Sequence, residues 1–588
     1  MSNTLIYDGK KDFMEILLHP DAGEQEKYAA DELRRYLELI SGIPFDVVTA
    51  KGKRNVFAIG RACQLFIQTE KDLGHDGFCL KSVGDNLCIY GGKRGVIYAV
   101  YEFLERIGCR FFTHDCEKIP TYDMLALPRF DEKQVPVLEY RAHNYWMYNE
   151  HTRFAVKSRL NALANIREKH GGHIEYVWFV HSFETLLPPE IYAKEHPEYY
   201  ALVRGKRPTK SGRFQLCLTN PDVLQVSIDR VREALRANPE KTIISISQND
   251  WKGNCQCSSC AALDKKEGSP AGAMIYFVNA IAEALEEEFP EVVFDTLAYM
   301  YTRQVPKYAR PRHNVCVRLC SIEACFLHSF ESCDDYRRAM VMPNGDKKMF
   351  IDDLRDWGKV CGRMYIWDYT TCFAHYPTPH PNWRVLQPNM QAFVRNNVKG
   401  VFEQACGASK GSVDLNELRA YIISKLLWNA DTDVDRHIKE FTDYYYGDAG
   451  VYIRQYINLL CDNAEKANCH VGFNDNPTHS FLNKDKLDEY EAVFDKAEAA
   501  VQGDALRLFR VAKARLALRY VRMKRKAMYK KIYDRDEINK FFSDWVGFGL
   551  TRIDEWVRWE TTHKALLRDK WRGIELYEHW SDEGPDEY

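Results

Sequence analysis

Four β-rich apolar runs between residues 242 and 403 each finish on a carboxylate. Thr242-Ile-Ile-Ser-Ile-Ser-Gln ends in Asn249-Asp250, Cys320-Ser-Ile in Glu323, Ile366-Trp in Asp368 and Val401-Phe in Glu403. Stretches with apolar residues at helical spacing separate these runs. Parallel strands joined by helices, each delivering a polar group at its carboxyl end, predict an α/β fold of the (β/α)8 TIM-barrel class with its chemistry on one rim. Carboxylates on such a rim are the groups that glycoside hydrolysis requires.

The alternation predicts strands at 140–147, 160–166, 177–181, 243–249, 292–299, 314–319, 364–367 and 400–402, with 214–219 as an alternative third strand. Helices are expected at 222–237, 272–288, 347–360, 389–397 and 414–428. These define a barrel over 137–430, with 182–213 as a long substrate-binding loop. Residues 1–130 read as a small α/β domain, with a helix at 24–40, a strand at 56–60 and a hairpin turning at Gly84-Asp85. The Gly91-Gly-Lys-Arg-Gly95 turn fits neither phosphate-loop spacing, so it reads as a structural strand-to-helix turn. A linker is expected at 120–136. The pattern over 431–588 is helical. Its most basic helix, 504–529, interleaves Arg507, Arg510, Arg515 and Arg522 with Leu, Val and Ala, as a packed helix with a solvated face does.

The 588 residues carry 81 basic and 84 acidic side chains, a net charge of −3. That balance gives no electrostatic case for nucleic acid or an anionic membrane. No apolar run is long enough to predict a membrane span. No signal peptide is visible, so the chain as written is expected in the cytoplasm, or in the periplasm or outside if an export signal was removed. No cofactor is expected. Oligomeric state is not legible in the sequence.

Asp250 directly follows the expected fourth strand and is the leading catalytic candidate; a cap or turn role is the alternative. Glu323 follows the sixth strand, with a salt bridge to Arg318 or Arg303 as its alternative. Asp368 and Glu403 end the seventh and eighth strands, where they would bind sugar hydroxyls or orient the catalytic acids. His143, Trp146, His181, Trp251, Tyr299, Tyr301 and Trp367 cluster at the same strand ends and are the expected substrate-binding side chains. His173 and His181 lack ligand spacing, so no catalytic metal is expected. Cys255, Cys257 and Cys260 supply three thiols: a structural zinc site with a fourth ligand such as Cys217, or a disulfide. Either would pin the loop that holds Asp250.

Several blocks carry a resemblance. Gly91-Gly-Lys-Arg-Gly95 with Tyr98-Ala-Val-Tyr-Glu-Phe-Leu-Glu105 and Gly108-Cys-Arg-Phe-Phe112 is similar to the small N-terminal α/β domain of β-hexosaminidases and α-glucuronidases. His196-Pro-Glu-Tyr-Tyr, Gln215-Leu-Cys-Leu-Thr-Asn-Pro221, Ser247-Gln-Asn-Asp-Trp251, Leu297-Ala-Tyr-Met-Tyr301, Asn314-Val-Cys-Val-Arg-Leu-Cys320 and Tyr365-Ile-Trp-Asp-Tyr369 resemble a bacterial family of endo-β-N-acetylglucosaminidases acting on complex N-glycans. The resemblance implies cleavage in the chitobiose core of an N-glycan with retention of configuration, the substrate's own acetamide oxygen attacking the anomeric carbon. Hexosaminidases place an acid and an acetamide-orienting group side by side after the fourth strand. Asn249 and Asp250 hold that place here, where the usual pair is Asp-Glu. Either Asp250 donates the proton, or it orients the acetamide and Glu323 donates. The competing readings are direct displacement by a second carboxylate, an exo-acting hexosaminidase or α-glucuronidase, and a non-catalytic carbohydrate-binding barrel.

Overall fold

The structure, a computed structural model, describes residues 4–567 apart from 342–344, 346 and 531–533. The outer ends of the expected terminal domains, 1–3 and 568–588, lie outside the described residues.

The centre of the molecule is a curled sheet of six parallel strands. They are β1 (Tyr140–His143), β2 (Ile243–Ser245), β3 (Val293–Ala298), β4 (Val315–Cys320), β5 (Met364–Tyr369) and β6 (Val398–Gln404). Their order is β1-β6-β5-β4-β3-β2, so the first strand pairs with the last. Every strand is buried on both faces, which explains its near-continuous apolar sequence. Side chains alternate between the faces. Tyr140, Ala142, Ile243, Cys316, Tyr365 and Phe402 fill the concave interior. Val317, Leu319, Ile366 and Val401 face outward, into a core shared with Leu354, Trp357 and Phe393 of the helices Phe350–Val360 and Leu386–Arg395. Each such fully buried aliphatic side chain contributes about 1.5–3 kcal/mol.

A charged pair sits in the interior. Arg318 reaches Asp295 at 3.1 Å, and its guanidinium lies 4.7 Å from the rings of both Tyr176 and Phe179. Burial raises the Asp295 carboxyl to about 6 despite the arginine. Arg318 is thereby committed to the sheet and not to Glu323.

Two expected strands are absent as regular elements. Only single bridges form there: Ala162, within 160–166, pairs with Ile174, and Tyr176, just before 177–181, pairs with Ile243. Arg159, Leu163 and His181 all take positive φ, between 52° and 59°, which interrupts an extended run in non-glycine residues. The sheet edges are nonetheless connected by backbone hydrogen bonds, from Asn161 N to Arg141 O, Ile174 N to Asn161 O and Val177 N to Ile243 O. The alternative third strand, 214–219, pairs antiparallel at Leu216 with Tyr200 inside the long loop.

Toward the N-terminus, a six-stranded sheet packs under the helices Glu24–Ser41 and Gly95–Arg106. The expected linker is part of this region: Asp131–Gln134 forms its edge beside Phe78–Val83, and Met124–Ala126 pairs with Leu5–Asp8. In the glycine turn, a Cβ on Gly92 or Gly95 would come within 2.0 Å of the carbonyl oxygens of Gly74 and Gly77. Those glycines serve close backbone packing. After Asn416–Trp428 the described chain is helical, from Val434–Tyr445 through Ala505–Arg525 to Trp559–Leu567. The basic helix is ion-paired: Arg515 meets Glu491, Asp495 and Glu498, and Arg522 meets Asp488. No described helix is long and apolar enough to cross a membrane.

Candidate active site

A cavity of about 830 Å3 opens at the carboxyl ends of the parallel strands. The inward positions of consecutive strands furnish its floor: Leu297 of β3, Cys320 of β4, Trp367 and Tyr369 of β5 and Gln404 of β6. The chain just past the strands supplies the wall that carries charge. Asp250 lies beyond β2, Tyr299 beyond β3 and Glu323 beyond β4, with His181 beside them. A second wall comes from the helical half of the chain, 472–476 with Thr478 and His479, and then Glu555 and Trp556. Backbone hydrogen bonds attach it to the loop after β5, from Phe373 N to Phe473 O at 3.0 Å and from Glu555 N to Phe373 O at 3.0 Å.

The two leading candidates thus meet in one cavity. Asp250 Oδ1 accepts the Tyr299 hydroxyl at 2.9 Å. Burial, reinforced by Asp250, keeps that phenol protonated far above its usual range. Glu323 is ion-paired with Arg303 at 3.2 Å. Arg303 is itself buried and anchored by Asp353 at 2.7 Å. Of the two salt bridges weighed from sequence, the structure makes the one to Arg303. His181 Nδ1 lies 2.7 Å from the Gln248 carbonyl oxygen, so Nδ1 is the donor of that bond.

Asn249 behaves differently from its neighbour. Its amide is spent inside the loop, accepting from Glu184 N at 3.2 Å and donating to Phe214 O at 3.0 Å. It is buried, and it braces the turn from which Asp250 projects. Gln215 completes that brace, donating to the carbonyls of Asn249 and Trp251 and accepting from Asn249 N. Asp250 is therefore the member of the pair that reaches the cavity.

Asp368 and Glu403 are not on the cavity wall. They sit opposite each other in the register of β5 and β6. Strand alternation explains their position: Trp367, Tyr369 and Gln404 point inward, so the acids beside them point outward. Asp368 accepts the buried Ser321 hydroxyl. Burial raises its carboxyl to about 6, and burial plus the Asp368 charge pushes Glu403 well above the usual range.

The same alternation removes His143, which shares the outward face with Arg141, bonds Ser424 at 2.9 Å and is lowered to about 3 by burial. Trp146 packs on His114 and His151. Trp251 lies against the cysteine cluster. Tyr301 does not line the cavity and feels the charge of Asp264 instead. Of the expected aromatics, Tyr299 and Trp367 line the cavity; Trp367 donates its indole N–H to Gln404 at 2.8 Å.

Several cavity residues carried no sequence signal. Phe473 and Trp556 are among them; with Tyr369, which the sequence had placed in the Tyr365-Ile-Trp-Asp-Tyr369 run, they form an edge-to-face aromatic series, at 5.4 and 6.4 Å between centroids. Glu555 accepts the Tyr376 hydroxyl and lies 3.5 Å from Gln404 Nε2. Burial is the main force raising its carboxyl above the ordinary range. Segments 472–479 and 555–556 fall between helices, where no period marks a functional residue. The cysteine cluster gains a fourth member, Cys217, and the four thiols can hold a metal; among the described residues Cys325, His328, Cys333 and His470 form a second such group.

Residues 111–458, well over half of the chain, match the family described as a domain of unknown function (DUF4838). No curated protein matches the chain. Among solved structures, a family GH115 4-O-methyl-α-glucuronidase with specificity for decorated arabinogalactans superposes with a TM-score of 0.55 at 13% identity, over 95% of this chain and 78% of the other. At that identity the likeness is one of fold. A family 89 glycoside hydrolase from Clostridium perfringens in complex with PUGNAc gives 0.47 at 11% identity, over 89% of this chain and 65% of its own. The N-acetyl-β-hexosaminidase of Streptomyces plicatus gives 0.39 at 12% identity, over 78% and 93%.

Proposed function

The chain belongs to the DUF4838 family, and from the geometry of its cavity we propose that it is a glycoside hydrolase. The carrying observation is the gathering of Asp250, Glu323 and Glu555 with Trp367, Tyr369 and Trp556 around one cavity at the strand ends. Carboxyl groups supply the acid and the charge stabilisation of glycosidic cleavage, and aromatic faces suit the apolar C–H faces of a sugar ring. The fold shared with a GH115 α-glucuronidase supports this reading. We read the curled sheet as an eight-stranded barrel in which the bridged segments near 161 and 176 stand for its second and third strands. It is flanked by an N-terminal α/β domain and a C-terminal helical one.

The finer reading is an endo-β-N-acetylglucosaminidase that cuts the chitobiose core of N-glycans with retention. The acetamide oxygen of the reacting sugar attacks the anomeric carbon as the glycosidic bond breaks. Glu555 gives its proton to the leaving oxygen, a role suited to a carboxyl that burial pushes upward. Asp250, held by Tyr299, orients the acetamide N–H. The ion-paired Glu323 faces the positive charge that develops on the ring. Water then opens the oxazolinium ion and returns a proton to Glu555. A second reading, an exo-acting glycosidase removing a terminal sugar, is favoured by the wall that 472–479 and 555–556 build across one side of the cavity.

Incubation with N-glycoproteins followed by mass spectrometry of the released glycans tests both. Glycans lacking one core GlcNAc support the endo reading; single terminal sugars support the exo reading. No release from glycoproteins or from an aryl-glycoside panel would leave only a binding function and sink the proposal.

A further inference from the structure

We propose that the chain holds two structural zinc ions, one in a tetrathiolate site at Cys217, Cys255, Cys257 and Cys260 and one in a Cys2His2 site at Cys325, His328, Cys333 and His470. Neither depends on the proposed hydrolysis.

The first site rests on distances. The Sγ of Cys217 lies 3.7 Å from that of Cys257 and 3.9 Å from that of Cys260, and all four Sγ atoms lie within 4.8 Å of one another. A tetrahedral ion with Zn–S of about 2.3 Å separates its ligands by about 3.8 Å. Disulfides need about 2.0 Å, so these thiols have the spacing of ligands. Three of the four are buried, among Ala201, Val203 and Trp251. Leu202 N donates to Cys255 Sγ at 3.3 Å, and the Thr219 hydroxyl lies 3.1 Å from Cys260 Sγ; such donors support thiolate charge. Soft sulfur ligands in this geometry select zinc among common divalent ions. The ion would fasten the loop bearing Asp250 and Lys252 to the 201–217 segment.

The second site is carried by different atoms. Cys325 Sγ lies 3.4 Å from His328 Nδ1, and Cys333 Sγ lies 3.9 Å from His470 Nδ1. All four candidate ligand atoms fall within 4.8 Å of one another. His470 turns its other nitrogen to Asp334 at 3.5 Å, the carboxylate–histidine arrangement that orients a metal-binding imidazole. Phe326 N bonds Val471 O at 2.9 Å alongside. An ion here would join the loop that follows Glu323 to the strand of chain entering the 472–476 wall. The two ions would thus fix both sides of the cavity from behind.

Elemental analysis of the full chain, purified without chelator, is expected to find about two zinc atoms per molecule. Cys257→Ser with Cys260→Ser removes one, and His328→Ala with Cys333→Ser removes the other. If those variants fail to fold, the native protein still decides. Cobalt exchange should give the intense visible bands of tetrahedral thiolate-bound cobalt(II). Alkylation after denaturation with chelator but without reductant should modify all 18 cysteines. One zinc, lost with only one pair of substitutions, sustains that site and overturns the other. Native protein without bound metal, or with these cysteines recovered as disulfides, overturns both.

Discussion

Two pairs of acids finish strands of the same sheet, and their environments are opposite. Asp250 and Glu323 stand beyond β2 and β4, each with a named partner, Tyr299 and Arg303, on the wall of the cavity. Asp368 and Glu403 lie within β5 and β6, on the outward face, and burial drives both toward the protonated form. In sequence the pairs look alike. The difference shows that an acid at a strand end is a weak signal until its phase is known. Within a strand, one residue of shift exchanges core for cavity. Past the strand, the loop geometry chooses.

The sharpest way to break this contrast is by activity. Asp250→Asn and Glu323→Gln are each expected to lower turnover by roughly 10²-fold or more with the fold intact, measured as kcat on the glycan that proves to be cleaved. Unchanged turnover in both would erase the distinction. Glu555→Gln is expected to lose a similar factor, together with the alkaline limb of the pH–rate profile. Its raised carboxyl must be protonated to act, so activity falls as pH rises through its value. A profile unchanged in shape assigns the proton elsewhere.

The outward pair should respond in stability. Both carboxyls are raised in the folded state, so the protonated pair stabilises fully below the unfolded value near 4; as pH rises that contribution is lost, through about 6 for Asp368 and at higher pH for Glu403. Glu403→Gln removes the cost of ionising a buried group. It should raise stability at pH 8 by about 1–3 kcal/mol and leave it nearly unchanged at pH 4, read from denaturant unfolding. A gain of equal size at both pH values would contradict the buried-pair account. Tyr299→Phe is the mildest test: loss of one hydrogen bond to Asp250 should cost roughly tenfold in kcat and little stability. No effect would detach Tyr299 from the site.

Much of the fold was legible, because burial on both faces leaves a sequence trace. The runs at 243–249, 292–299, 314–319 and 364–367 all became strands or lead directly out of them, and the intervening helices fall within a few residues of their expected bounds. What failed did so for local reasons. Positive φ at Arg159, Leu163 and His181 is invisible to a periodicity that sees only apolar content. The residues expected as a linker at 120–136 carry prolines, yet two short strands there complete N-terminal sheets. Of the residues lining the cavity, the sequence had singled out Asp250, Glu323, Tyr299, His181 and Trp367 but not Glu555 and Trp556, since these lie more than 150 residues from β6 in a region with no strand pattern.

The sequence alone determined that parallel strands would bring acids and aromatics to a common edge, because alternation of strand and helix requires it. It also determined three clustered thiols. Only the tertiary structure decided which acids face the cavity, which cysteine joins the other three, and that a segment from the helical end of the chain closes one wall. Those outcomes depend on side-chain phase and on contacts between residues from about 40 to about 180 positions apart, and no local pattern in the chain encodes either.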